Sequence, residues 1–222
     1  MTQRFSTAGM AFMRDLASNN TKAWFQENKK RYERDFKLPG RVLVAEVNEI
    51  LAKVSPNHVT PPNKAISRIN RDIRFSKDKT PYNAKLWAGF MDQTAPKGHS
   101  AGFYFGFDLE GFGIGCGAWM FPKEKLESMR SYFAATLDEY TAITAKAFTA
   151  YEPMSGDAYK RVPKPWDSDH PAAELIKRKG IHTRRNFDVS LVTSDDILST
   201  IEAEFRVMQP FVAYLNRGLQ GD

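Results

Sequence analysis

The chain has 222 residues, 42% hydrophobic and 26% charged, with a formal net charge of +6. A chain of this kind buries about 70% of its unfolded surface without staples, which excludes a disordered tail, a collagen-like repeat and a membrane bundle. Its single cysteine, Cys116, excludes an intrachain disulfide and any multi-cysteine zinc or iron–sulfur site.

The opening stretch, MTQRFSTAGMAFMRDL, lacks the unbroken apolar core of about 7–15 residues that a secretion signal needs. No run approaches the ~18 apolar residues of a membrane span. The expected location is the cytoplasm. Phe12 and Leu16 predict a short first helix that stops at Asn19-Asn20. Residues 21–36 predict a second, carrying Trp24, Phe25, Tyr32 and Phe36 and broken by Leu38-Pro39-Gly40. Leu43, Val47, Ile50, Leu51 and Val54 fall on one stripe of a third.

The middle of the chain predicts strands. Ile69, Ile73 and Phe75 share one parity, and Arg68, Asn70, Asp72 and Arg74 share the other, with Arg71 out of pattern. Residues 86–91, 102–109 and 112–120 complete an expected antiparallel meander, with a hairpin turn at Glu110-Gly111. Pro122 predicts a helix start with Leu126, Met129, Phe133 and Leu137 as its stripe, and a further helical stretch to Tyr151. A short basic helix is expected over 171–179 and a strand over 187–192. Thr193 to Asp196 resembles a capping box for a last helix carrying Ile197, Ile201, Phe205, Met208, Val212 and Leu215, kinked at Pro210. The fold class expected is α+β in one domain over 1–222: helical over 1–60, motif and sheet over 64–120, helical with one short strand over 122–222.

Charge marks the most distinctive segment. Residues 64–85 hold seven basic and two acidic side chains, nearly the whole net charge of the protein. Within it, arginine rather than lysine recurs, as suits planar recognition of carboxylate or phosphate. Arg68, Arg71, Arg74, Lys79 and the Tyr82 hydroxyl are candidate donors to an anionic small molecule, with Asp72 orienting the arginines and Asp78 shaping the loop. An internal Arg–Asp network that locks a sheet face reads the same residues equally well.

The pattern RxxRDxRFxxDKxxY over 68–82 resembles the signature of a bacterial family of conserved hypothetical proteins, a domain of unknown function with relatives embedded in some fungal proteins. Asn19 to Tyr32 is similar to that family's opening, Asp169 to Leu175 to a later motif, and Asn216 lies in a similar closing helix. The chain departs from the pattern at Pro165-Trp166, where glycine is expected after Val162-Pro163-Lys164. The resemblance supplies no activity. It implies that Arg68, Arg71, Asp72, Arg74, Phe75, Asp78, Lys79 and Tyr82 act together.

Other motifs admit plainer readings. Asp169 or His170 suits a helix N-cap before Pro171, against a metal site with Asp167 or a general acid–base role for His170 beside the arginines. Asp169 and His170 are candidates for a catalytic second wall; no metal is expected from the motifs, and they leave any cofactor unknown. Gly98-His99-Ser100-Ala101-Gly102 matches GxSxG, but its flanks read as loop then strand, the wrong setting for a nucleophile elbow. Gly111, Gly113, Gly115 and Gly117 alternate within a strand, so they suggest a bare sheet face rather than a dinucleotide fingerprint. Cys116 then points into the core. Trp24, Phe25 and Tyr32 among Lys22, Lys29, Lys30 and Arg31 read as a helix with one packed side. A nucleic-acid surface there is the alternative, with no accompanying nucleic-acid motif.

Overall fold

The computed structural model describes residues 5–221; residues 1–4 and 222, the ends of the expected 1–222 domain, lie outside the described residues. Helix α1 (Thr7–Ser18) buries Phe12, Met13 and Leu16. It stops where expected: both the backbone N–H and the side-chain amide of Asn19 donate to the Asp15 carbonyl. Helix α2 (Lys22–Glu27) starts at Thr21, whose hydroxyl accepts from the Trp24 N–H at 3.3 Å. Phe25 is buried, and Trp24 and Tyr32 pack against the core beside it. This aromatic–basic stretch therefore has the expected packed side.

The expected break at Leu38-Pro39-Gly40 does not occur. A short turn α3 (Lys29–Arg31) leads into a π-helical stretch, Tyr32–Lys37, that runs directly into α4 (Leu38–Val54). Pro39 follows directly on the π-helical stretch, so it sits inside a continuous helical run. The Leu38 N–H reaches back five residues to the Glu33 carbonyl, the widened spacing of a π-turn. A Cβ on Gly40 would lie 2.6 Å from Leu86 Cδ1. The glycine therefore serves close packing of helix on strand. The stripe of α4 buries Leu43, Val47, Ile50 and Leu51 as its period requires.

A four-stranded antiparallel sheet follows, ordered β1-β2-β3-β4. Its strands are β1 (Leu86–Met91), β2 (Gly102–Phe107), β3 (Phe112–Ala118) and β4 (Ile181–Phe187). Asp108 Oδ1 accepts from the Glu110 and Gly111 N–H groups and so closes the β2–β3 hairpin where a turn was expected.

Two strand expectations are corrected. Residues 66–75 form no strand; only Ile66 bridges Ala88, and Asn70 bridges Tyr82. Instead 69–83 doubles back on itself, with Arg71 N–H on the Pro81 carbonyl and Asn83 N–H on the Ile69 carbonyl. Pro81 has no N–H to extend such a ladder. Phe75, expected on the core parity, is 95% exposed. The late strand lies at Ile181–Phe187 rather than 187–192, and Val189–Thr193 is a 3-10 turn capped by the Asp188 side chain. Arg185 interrupts the apolar parity of β4 because it pairs with buried Glu204 at 2.8 Å.

One face of the sheet carries Ala88, Phe90, Phe103, Phe105, Ile114 and Cys116, all fully buried. Cys116 therefore points inward as expected, and burial pushes its thiol pKa far up. Helix α9 (Ile197–Gln220) covers this face, burying Ile197, Ile201, Phe205, Met208, Val212 and Leu215. Phe205 lies 4.8 Å from Phe103 between ring centroids. The helix continues through Pro210, and its N-cap, Asp196, makes no side-chain cap bond, so the expected capping box does not form. Between the sheet strands β3 and β4 lie a 3-10 turn (Lys123–Lys125), α6 (Leu126–Ala135) and α7 (Leu137–Ala147). Pro122 is the cap of that turn rather than its first residue. The helix expected over 171–179 shrinks to one turn, α8 (Ala173–Ile176). Two short helical turns, at Pro56–His58 and at α5 (Pro62–Ala65), join α4 to the motif.

His58 is buried edge-on to Phe103, with Nδ1 2.9 Å from Ser55 Oγ and Nε2 3.2 Å from the Ala101 carbonyl. Burial holds its pKa below the ordinary histidine value despite the Ala101 carbonyl and Asp92. The unfolded chain therefore binds the proton more readily. Stability is fully present above about pH 6.5 and falls as the pH drops through that value toward the lowered folded pKa. Urea midpoints at pH 7.5 and 5.5 should show this loss, and it should shrink in His58→Gln. An equal loss in both proteins would assign it elsewhere, for instance to His182, which burial shifts in the same direction.

Candidate functional site

The 68–82 motif forms an irregular, exposed loop anchored at both ends. Asn20, just past α1, clasps Tyr82 as a peptide would: its Nδ2 donates to the Tyr82 carbonyl at 2.9 Å, and its Oδ1 accepts the Tyr82 N–H at 3.1 Å. The Tyr82 ring is buried and stacked on Phe25 at 4.1 Å. Tyr82 thus anchors the stem of the loop, and its ring is packed into the core.

Arg71 is the internal strut of the loop. Its guanidinium donates to Asp78 Oδ2 at 2.5 Å, to the Thr80 hydroxyl and carbonyl, and to Ser76 Oγ at 3.4 Å. Asp78 also accepts the Thr80 N–H at 2.9 Å. That backbone bond, with Arg71 next, pushes the Asp78 carboxyl down to about 2. Asp72 forks onto Arg74, at 2.9 Å to Nε and 2.6 Å to a terminal nitrogen, and accepts the Arg74 N–H. This contact holds the Asp72 carboxyl below the usual range. The expectation that Asp72 orients one arginine therefore matches the geometry, with Arg74 the partner.

Both acids of the segment are now accounted for. Lys64, Lys77 and Lys85 make no ion pair within 4 Å among the described residues, Arg68 acts on Asp72 only through space, and Lys79 donates to the Ile73 carbonyl at 2.9 Å. Arg68, Arg74, Lys77, Lys79 and Lys85 are all exposed. Beside the loop lies a shallow cavity of about 450 Å³ lined by Asn20, Arg71, Asp78, Tyr82, Lys85 and Asp108 among others. Asn20 reads in sequence as a helix stop, and Lys85 as one charge among seven. Nothing local in the chain says that they meet.

Asp169 and His170 do not line this cavity. His170 Nδ1 accepts the Ala172 N–H at 3.0 Å, and its ring packs on Trp166, whose Nε1–H donates to Glu127. The side chain of His170 satisfies the backbone at the entry to α8, close to the expected capping role, although the N-cap itself is Ala172. Trp166 follows a cis Lys164–Pro165 bond. Among the described residues no three histidine, cysteine or acidic side chains cluster as metal ligands. Ser100 is buried in the loop that enters β2, with no helix after it, so the nucleophile-elbow setting is not formed.

A family model described as conserved hypothetical protein, DUF2461, matches residues 8–214. The chain belongs to this family. No curated protein matches it. Among the described residues no helix is long and apolar enough to cross a membrane.

Proposed function

We propose that the protein binds a phosphate- or carboxylate-bearing small molecule at the 68–82 loop. One observation carries this reading: the two acids of the segment are held by Arg71 and Arg74, while Arg68, Lys77 and Lys79 stand exposed on the same internally braced loop. Arg68 and Lys79 meet the anion, together with the Arg74 terminal nitrogen that Asp72 does not engage, with Lys85 at the neighbouring cavity. Arg71, Asp72, Asp78 and Tyr82 hold the donors in place. Removing one charge-assisted bond to the anion costs about 1.5–3 kcal/mol. In a thermal-shift screen of inorganic phosphate, sugar phosphates and carboxylates, at least one anion should stabilise the wild type more than Arg74→Ala. If none does, the reading fails.

A second reading rests on Phe75. This ring projects fully into solvent beside the Arg74 guanidinium, 5.8 Å from the ring centroid, and aromatic rings among cations stack on single-stranded nucleic acid. Salt separates the two. A strand binder that neutralises several phosphates loses orders of magnitude in affinity between about 50 and 200 mM salt. Fluorescence anisotropy with single- and double-stranded oligonucleotides should show no submicromolar binding at about 150 mM salt, where the screening length is near 8 Å. Retained tight binding that falls in Phe75→Ala would replace the small-ligand reading.

A further inference from the structure

The sheet has a second face, turned away from α9, and its centre is unusually bare. Register places Trp87, Gly106, Gly113 and Asn186 in one cross-strand row, and Tyr104, Gly115 and Arg184 in the next. Glycine weakens a strand unless something must approach the backbone. At two of these positions the approaching group is protein: a Cβ on Gly106 would lie 2.4 Å from the Trp87 ring, and one on Gly115 2.4 Å from the Tyr104 ring. Gly113 is different. Its φ is not positive, and a Cβ there would meet nothing nearer than Asn186 Oδ1 at 3.4 Å and Arg184 Cδ at 3.6 Å. Packing does not require glycine at this position.

The open floor at Gly113 belongs to a cavity of about 350 Å³. The Trp87 indole, stacked on Tyr104 at 4.6 Å, forms one wall. Arg184 and Asn186 form the other, both held by Glu152: Arg184 Nε is 3.1 Å and Asn186 Nδ2 2.6 Å from Glu152 Oε1. With its amide nitrogen engaged there, Asn186 turns Oδ1 toward the floor. Lys85 and Asp108 line both this cavity and the one beside the motif loop. The two cavities are therefore neighbours.

We propose that this slot takes the planar ring of a nucleotide, over Gly113 and between the Trp87 indole and the Arg184 guanidinium, with its phosphate at Lys85 and the motif loop. The inference rests on the anion reading above and specifies its ligand class. An indole face stacks on a heteroaromatic ring, and a guanidinium lies over an aromatic face by cation–π attraction. Asn186 Oδ1 accepts from an exocyclic amino group, and Lys85, which lines both cavities, meets the phosphate.

The test uses the common ribonucleoside monophosphates, the matching nucleosides and inorganic phosphate, titrated by calorimetry into the wild type, Gly113→Val and Trp87→Leu. At least one monophosphate should bind the wild type more tightly than phosphate does. Each variant should lose about tenfold or more of that affinity, Trp87→Leu by removing one stacked ring face and Gly113→Val by filling the floor of the slot, while keeping the wild-type response to inorganic phosphate. If nucleotides bind no better than phosphate, or bind both variants as well as the wild type, the slot is wrong and the anion reading stands. If neither phosphate nor any nucleotide binds, the slot is wrong, and the anion reading is decided by the sugar phosphates and carboxylates of the thermal-shift screen.

Discussion

Gly117→Val is expected to lose stable folding, whereas Gly113→Val, on the same face of the same strand, should fold like the wild type. Gly117 has φ +129°, a region side-chain-bearing residues rarely enter. A Cβ there would lie 2.2 Å from the Ile181 carbonyl oxygen and 2.6 Å from His182 Cα. Both are backbone atoms of the neighbouring strand and cannot swing aside. Backbone strain of about 1–3 kcal/mol and overpacking of about 1–3 kcal/mol then act together. A domain stable by about 5–15 kcal/mol loses much of its margin. At Gly113 the nearest atom, Asn186 Oδ1, is 3.4 Å away, an ordinary van der Waals contact, and valine suits a strand, so the change should stay within about 1 kcal/mol. Thermal melts and soluble yield of the two variants decide the matter. Equal damage from both would mean that the space over Gly113 is already filled.

Asn216→Leu should lower stability by about 3 kcal/mol, near the top of the range for orphaning a buried polar group. Asn216 lies on α9 and is buried. Its Oδ1 accepts the Ala101 N–H at 2.7 Å, and its Nδ2 donates to the Ala101 carbonyl at 3.3 Å. Ala101 is fully buried at the entrance to β2. His58 also touches that carbonyl but offers the N–H nothing. Leucine of similar size leaves the N–H without a partner and without water. For a chain of this length each kcal/mol moves the melting temperature by roughly 2–4 °C, so a fall of about 6–12 °C is expected in a thermal melt. A shift under about 2 °C would show that another group takes over the bond.

Much of the fold was legible because helix stripes and strand parity are local. The spacing in α4 and α9 needs only the chain itself to show which side is buried, and the alternating glycines of β3 showed a bare face opposite Cys116 in the same way. The misread segments share a cause, which is that a distant group overrides the local pattern. Arg185 breaks the parity of β4, and its reason, Glu204, lies on a helix packed across the sheet. Ile69, Ile73 and Phe75 alternate like a strand, yet Arg71 draws Asp78 and Thr80 around itself and curls the segment into a loop. Pro39-Gly40 reads as a break because the sequence cannot show Leu86 lying against Gly40.

For the candidate site, the sequence by itself determined the inventory: which residues are cationic, how densely they sit between 64 and 85, and which two carboxylates accompany them. Composition and spacing are properties of the chain and survive any fold. Only the tertiary structure decided the roles. It spent Arg71 on bracing the loop, buried Tyr82 against Phe25, and set Asp169 and His170 at the entry to α8. It also joined Asn20, Lys85 and Asp108 from three separate segments into one cavity. Hydrogen bonds and ring contacts act over about 3–6 Å, so pairing depends on which distant segments the closed core brings within that reach.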